Sequence, residues 1–570
     1  MKRVWKSLFS AVVCIAIILS TLAVSAFAAE ENSTESTLSR LLRQPVYVKA
    51  NEQAGVDGQI NLSISLTDAS AVLYLPGKAK TENLCFSWKD KELVLSKDGK
   101  DYKSGKAPVA PEGETVTYTL KKGLLSAPLT IKTYLGSKGI RSIFLDIDES
   151  LGTVLAMNLD SDHLTSCYGK VISEDVEKDM SVKGRGNSTW VAPKKSYNVT
   201  FYKDAKYDNK KKVELIDGVK AKKWSLQANY FDNTLMRNKI AMDLARNLGI
   251  GLDAAYADLW VNGEFYGNYT ITPKKDSGCP DNGYIIENDH IPAEGEDIAN
   301  QFEFPYMHNM PAKHNMINVD DVGDLAKEAG VTTASIEKDF KKAWKTVLDY
   351  DSDEYMNYFD VDSFAKMYLM FEVSKTYDCY AGNIIMRREG LKKTDKYYCG
   401  PAWDYDIAFG RTLHKFIVGV SIPVQMNAEG WYNDSVGYLI TGDEPVSMLQ
   451  ELGKHKSFML RVAKLYNEYK WAFEDLSANV TRSQKQIRKS AIMNNKLWGV
   501  NHPGAMYLVA PNTMAALGTG KYKLNYEVTL SWSNYVNNLK EFCDKRVMWL
   551  SDHLAPGATI ETLHGGTVQT

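Results

Sequence analysis

The stretch "TYDCYAGNIIM", Thr376 to Met386, sets one aspartate, Asp378, five residues before one asparagine, Asn383, and follows them with a β-prone apolar run. A second stretch, "GPAWDYDIAFG" from Gly400 to Gly410, brings Asp404 and Asp406 in a tryptophan-flanked turn. The segments "IIMRRE" and "KYYCGPAW" between them read as two arms of one hairpin. A hairpin returns its second arm beside its first, so Asn383 and Asp404 come within reach of one ion. Asp and Asn are also common turn-formers, and a plain surface loop is the competing reading.

Phosphoryl transfer requires a carboxylate that orients the attacking hydroxyl, and oxygen ligands for the metal ions that neutralise phosphate charge. Protein kinases meet this with an Asp-x-x-x-x-Asn loop, a hairpin, and a metal-binding Asp ahead of a Phe-Gly. Asp378, Asn383, the pair Asp404/Asp406 and Phe409-Gly410 repeat that order. Upstream, "PKKSYNVTF" read as a strand sends Lys195, Tyr197, Val199 and Phe201 to one face. An ammonium on an apolar face is unfavourable unless it meets an anion. The turn Gly184, Arg185, Gly186, Asn187 just before it lets backbone amides approach phosphate oxygens, so turn and lysine together make a candidate phosphate cradle. An ordinary hairpin with a snorkelling lysine fits the same residues.

The rest of the chain bounds these readings. Lys and Arg total 68 against 70 Asp and Glu, a balance that gives no support to nucleic-acid binding through bulk charge. Lys2, Arg3 and Lys6, the apolar "AVVCIAIILSTLAV" and the small residues Ala26 and Ala28 form a secretory signal peptide, residues 1–28. The mature protein is therefore expected to be exported, with no transmembrane segment once the signal is cut. Cys85, Cys167, Cys279, Cys379, Cys399 and Cys543 remain, widely spaced and without a CxxC pair, which argues against a zinc site.

Residues 29–43 are polar and read as a mobile leader. Residues 44–137 carry alternating segments such as "INLSISL", "TVTYTL" and "PLTIKTYL", the pattern of a small β-sandwich-like accessory domain. From residue 138 to 555 the pattern is α+β, ending in amphipathic helices, with a tail at 556–570. "DNTLMRNKIAMDLARNLGI" reads as a helix capped by Asp232 or Asn233 and stopped by Gly249. "YADLWVNGEFYGNYTIT" is a hairpin turning at Asn262-Gly263. The region Phe302 to Asp324 reads as a loop.

The ordered motifs "KGRGNSTW…PKKSYNVTF", "NYFDNTLMRNKIAMDLARNLG", "LWVNGEFYGNYTI", "GYIIEND", "YDCYAGN" and "PAWDYDIAFG" resemble the spore coat protein H (CotH) kinase family, over roughly Ile140 to Leu554. The resemblance implies an atypical protein-kinase-like core preceded by a small all-β domain. It also implies ATP and Mg2+ as cofactors and serine phosphorylation as the activity. Lys195 would hold the nucleotide phosphates, Asp378 would orient or deprotonate the acceptor hydroxyl, and Asn383 with Asp404 or Asp406 would hold metal. Arg237 is a candidate phosphate contact, with an exposed helical arginine as the alternative. Glu287 of "YIIEND" is a candidate partner for Lys195, since the helix after Asp232 carries no glutamate. Pro273-Lys274-Lys275 departs from the family, where an acidic residue is expected.

These readings make the protein a secreted ATP- and Mg2+-dependent kinase acting on Ser or Thr of exported proteins. A non-catalytic surface or spore-coat scaffold that retains the fold is the alternative. A carboxylate-pair hydrolase ranks third, because it leaves Lys195 and the Asp378–Asn383 spacing without a role.

Overall fold

The computed structural model describes residues 33–43, 46–186, 188–289, 300–303, 316–376, 383–411, 427–433, 448–499 and 531–557. Residues 1–28, expected as a signal peptide, and Asn187, Asp378 and Cys379 lie outside the described residues. The chain divides into two compact units, residues 1–136 with 262–265 and residues 137–261 with 266–570.

The first unit is mostly β. Strands Ser63–Ser65, Ser70–Leu75, Leu125–Leu135, Thr115–Lys122, Val94–Lys97 and Lys100–Tyr102 lie side by side in one sheet, and a four-stranded sheet accompanies it. Thr115–Lys122 buries Val116, Tyr118 and Leu120 and turns its threonines outward, as a period of two demands. The segment expected as a mobile leader instead contains a helix, Ser33–Leu41, with Leu38 and Leu41 buried. Those two leucines lie three apart, so one short apolar stripe suffices to dock an otherwise polar helix.

The second unit opens with a closed seven-stranded barrel. Its strands are β1 (Arg141–Ile147), β2 (Ser166–Ser173), β3 (Val176–Arg185), β4 (Ser196–Phe201), β5 (Lys223–Gln227), β6 (Ala255–Val261) and β7 (Glu264–Pro273), joined in the order β1-β2-β3-β4-β5-β7-β6. Met180, Val182, Val199, Trp224, Leu226, Leu259 and Ile271 fill the interior. Alternation then forces the intervening residues outward. On β3, β4, β5 and β7 these are Lys183, Arg185, Ser196, Asn198, Ser225, Gln227, Thr270 and Thr272, every one of them polar. Asn262 and Gly263 both take positive φ, 47° and 84°, as a type I′ turn requires.

Helix α1 (Arg237–Asn247) follows the barrel strand β5. The expected cap at Asp232 or Asn233 is not the N-cap: the helix starts only at Arg237 after Met236, while buried Asp232 ahead of it accepts from the amides of Thr234, Met236 and Arg237 at 2.9, 2.8 and 2.7 Å, and Gly249 ends it at φ 79°. A second sheet contains β8 (Tyr284–Asp289), β9 (Gln301–Glu303), β10 (Met316–Val322), β11 (Ile384–Arg388) and β12 (Tyr397–Cys399), in the order β9-β10-β8-β11-β12. The predicted hairpin is present: β11 and β12 pair antiparallel with Met386 opposite Cys399. The expected loop between Phe302 and Asp324 holds a strand instead, β10. Its Asn- and Asp-rich sequence conceals an alternation in which Ile317 and Val319 are buried.

Helices α2 (Val361–Ser374), α3 (Lys456–Glu468), α4 (Leu476–Trp498) and α5 (Trp532–His553) surround the main apolar core. Among the described residues no helix is long and apolar enough to cross a membrane. The five described cysteines, Cys85, Cys167, Cys279, Cys399 and Cys543, are free thiols.

Candidate functional site

The hairpin delivers its polar residues in strained backbone. Asn383, Asp404 and Phe409 take φ of 60°, 63° and 50°. Left-handed backbone costs a non-glycine residue about 1–2 kcal/mol, so surrounding contacts must hold these conformations. They do. The Tyr405 amide donates to Asn238 Oδ1 at 2.6 Å, and Asn238 Nδ2 donates to Asn229 Oδ1 at 2.9 Å. Arg237 Nε donates to the Ala408 carbonyl at 2.8 Å, and the Phe409 amide to the Ser374 carbonyl at 2.6 Å. Arg411 closes the far end on the Phe231 carbonyl and Asn233 Oδ1, at 3.0 and 2.8 Å. The "NYFDNTLMRNK" segment thus serves as the mould for the acid-bearing turn. Its sequence reads as a helix start, a family motif and a candidate phosphate contact at Arg237, although its density of asparagine beside apolar residues is a signal of buried polar scaffolding.

Of the two acids in the turn, Asp404 is partly exposed and Asp406 is buried. Asp404 meets the barrel: Arg185 Nη2 lies 3.9 Å from its Oδ2, and the guanidinium stacks 5.5 Å from the Trp403 ring centroid. The structure therefore joins Arg185 and Asp404, from segments more than two hundred residues apart in sequence, and gives Trp403 a cation to cover.

Other expectations are corrected. Gly184 and Arg185 belong to strand β3, and only Gly186, at φ 98°, begins the turn. A Cβ on Gly184 would run into the Trp190 indole, so close packing accounts for that glycine. Lys195 does not share the apolar face of β4. A 3-10 turn at Ser188–Val191 precedes the strand, which begins only at Ser196, and the alternation cannot be extended back. The Lys195 ammonium donates to the Trp190 carbonyl and sits 4.7 Å above that ring. Partial burial lowers its pKa.

The buried lysine is its neighbour. Lys194 donates to the Ala228 carbonyl at 2.7 Å, to Asn494 Oδ1 at 2.9 Å and to the Asn268 carbonyl, and burial pushes its pKa far down. Glu287 pairs with Lys275 rather than Lys195, and Lys275 also faces Asp320 at 3.5 Å. Lys274 and Lys223 both reach Asp276, at 2.6 and 3.2 Å. The two lysines that departed from the expected acidic position are thereby neutralised locally. Arg237 is neither exposed nor open to phosphate: it is buried, paired with Asp232 and bonded to Ala408.

The approach to the Asp378 loop is anchored from the far end of the chain. Glu372, in the last turn of α2, forms a fully buried ion pair with Arg546 of α5 at 2.7 Å. Arg546 also caps the carbonyls of Glu372, Ala428 and Gly430 at 2.8, 3.0 and 2.8 Å. Tyr432 OH holds the Thr376 carbonyl at 2.8 Å, and buried Lys375 donates to the Glu429 carbonyl at 2.6 Å. The backbone is thus fixed up to two residues before Asp378.

Residues 182–550 match the family described as CotH kinase protein. The chain belongs to that family. The CotH match begins within β3 and runs into α5, so it takes in Arg185, Lys195, Arg237, Glu287, Asp378, Asn383, Asp404 and Asp406 and leaves out the β-rich first unit. Over 254 residues the chain is 24% identical to the inner spore coat protein H of Bacillus subtilis (strain 168), an alignment covering 41% of this chain and 60% of that protein. The chain thus spans less than two thirds of the length of this curated CotH relative.

Among the described residues no cluster of three or more His, Cys, Asp or Glu is arranged for a metal ion. The segments flanking the hairpin offer a smaller set, the Asn383 amide just ahead of β11 and the Asp404 carboxylate in the turn after β12. Both are hard oxygen donors of the kind that suit Mg2+ completed by phosphate and water. Arg185, beside Asp404, is a group of the kind that suits a phosphate oxygen. Asp404 and Arg185 are thus of the residue types that would suit a metal-bound phosphate.

Proposed function

We propose that this CotH-family protein is an ATP- and Mg2+-dependent kinase that phosphorylates Ser or Thr of exported or surface proteins. The observation that carries this reading is the meeting of Arg185, from the polar outer row of the barrel, with Asp404 in the strained turn that follows the Asn383 hairpin. Bound nucleotide and metal would supply the phosphoryl group and the charge that activates it. The chain's own residues divide the remaining tasks. Asn383 and Asp404 hold the metal, Asp404 being favoured over buried Asp406 because it faces the open, cationic side of the site. Arg185, at the end of β3, carries phosphate charge, and Lys195, just ahead of β4, is the second candidate cation. Asp378 accepts the proton of the acceptor hydroxyl and aims its oxygen. A relative named for the inner spore coat, together with the basic-apolar-small order of residues 1–28, supports a substrate met after export, at a coat or surface.

The test uses the purified mature chain with labelled ATP, Mg2+ and co-exported proteins. Transfer to serine or threonine is expected in the wild type. It should fall at least a hundredfold in Asp378→Ala and Asp404→Ala variants that keep the wild-type Tm. Labelling that survives both substitutions would remove these roles. Absence of thermal stabilisation by millimolar ATP and Mg2+ would favour a scaffold instead.

A further inference from the structure

Native interiors pair their polar atoms, and a buried group left alone calls for an explanation. The outer face of β5 and β7 holds such an exception. Ser225 is matched by Asn198 Oδ1 at 2.7 Å, and Thr270 by Asn229 Nδ2 at 2.8 Å. Between them Gln227 is only 2% exposed, and among the described residues neither its amide nitrogen nor its carbonyl oxygen has a partner. The Thr272 hydroxyl, also buried, has none among the described residues. Gln227 lies opposite Thr270, and Thr272 opposite Ser225, so the orphan carboxamide and hydroxyl are diagonal neighbours on one face. Along the same face β3 presents Arg185, the residue that meets Asp404. Two strand spacings separate β3 from β5, about 10 Å.

Resting on the kinase reading above, we propose that Gln227, assisted by Thr272, reads the base of the bound nucleotide. A primary carboxamide offers one donor and one acceptor side by side, which matches the N6 amino group and N7 of adenine. Guanine presents two acceptors at the corresponding positions and leaves the carboxamide oxygen facing O6. Phosphates at Arg185 and Asp404 then place the base over β5 and β7, where the unmatched atoms wait for it. The structure thereby assigns adenine preference to a residue outside the phosphate and metal machinery.

The experiment measures equilibrium binding of ATP and GTP, each with Mg2+, to the full mature chain as wild type, Gln227→Met and Thr272→Val, with chemical denaturation of the unliganded proteins alongside. Wild type is expected to bind ATP about tenfold more tightly than GTP. Gln227→Met should weaken ATP about tenfold and erase the preference, while the unliganded protein stays as stable or becomes more so, because an unpaired buried amide is gone. Thr272→Val should weaken ATP severalfold with the same stability pattern, and it carries the test if Gln227→Met does not fold. Unchanged ATP affinity and an unchanged ATP-to-GTP ratio in the folded variants would overturn the assignment while leaving the kinase reading intact. A wild type that binds neither nucleotide would overturn both.

Discussion

Lys194 and Lys195 are adjacent, identical in type and opposite in circumstance. Lys194 is enclosed and satisfies three oxygens, whereas Lys195 is half-buried and holds one carbonyl. Removing a buried cation strands its acceptors. Lys194→Met is therefore expected to destabilise the protein by about 3 kcal/mol, and Lys195→Met by less than about 1 kcal/mol, read from chemical denaturation. Equal losses would show that the two environments are misassigned. Nearby Asp258 gives a pH signature. Burial pushes its carboxyl up to about 6, against the hydrogen bonds from Ser490 and Asn268 and the charge of Lys194. Between the ordinary value of 3.8 and about 6 the folded state keeps a proton that the unfolded chain has released. The stability contributed by this group is present at pH 4 and declines as pH rises through that window. Denaturation curves at pH 4, 5, 6 and 7 should show a steeper decline in wild type than in Asp258→Asn, and identical slopes would refute the shift.

At the scale of elements, regular periodicity was readable and interruptions were not. The β11–β12 hairpin, the Asn262-Gly263 turn and helix α1 with its Gly249 stop were all legible, because each depends on neighbours within a few residues, whereas the helix starts at Arg237 and not at the expected Asp232 cap. The face taken by Lys195 was not legible, since the 3-10 turn at Ser188–Val191 resets the alternation before β4. Strand β10 was hidden because its outward positions are Asn and Asp, residues that equally suit a loop. Strand β3 shows how packing can explain a glycine that resembles a ligand-binding one. Gly184→Ala would force the Trp190 indole aside and is expected to lower stability by about 1–3 kcal/mol, measured as a fall in Tm. A Tm within one degree of wild type would mean that the indole moves freely.

Across the whole molecule, the C-terminal helix α5 braces the site from behind. Arg546 holds Glu372, and the Phe542 ring packs so closely on Gly410 that a Cβ there would meet it at 2.8 Å. One helix thus touches both the end of α2, which leads to Asp378, and the end of the turn that carries Asp404. Because the Glu372–Arg546 pair is fully buried, breaking it leaves a buried charge without its counter-ion, although Tyr432 and Asn433 still donate to Glu372. Arg546→Met is expected to lose about 3–5 kcal/mol, and Glu372→Met combined with Arg546→Met should recover part of that loss. A double-mutant cycle by denaturation measures the coupling, and additive losses would deny it.

The sequence by itself determined the order of the polar motifs, the hairpin that carries them, the helix beside them and the family they belong to. All of these rest on spacing, capping and turn chemistry that act over a few residues. Tertiary structure alone decided that Lys194 is the enclosed lysine, that Glu287 belongs to Lys275, that Arg185 meets Asp404, and that Arg546 reaches Glu372 across 174 positions of sequence. Such pairings depend on how the barrel closes and which helix end covers it, and no local period records that closure. "TYDCYAGNIIM" announces its chemistry in sequence, and the residues that hold its flanks in place come from the far end of the chain.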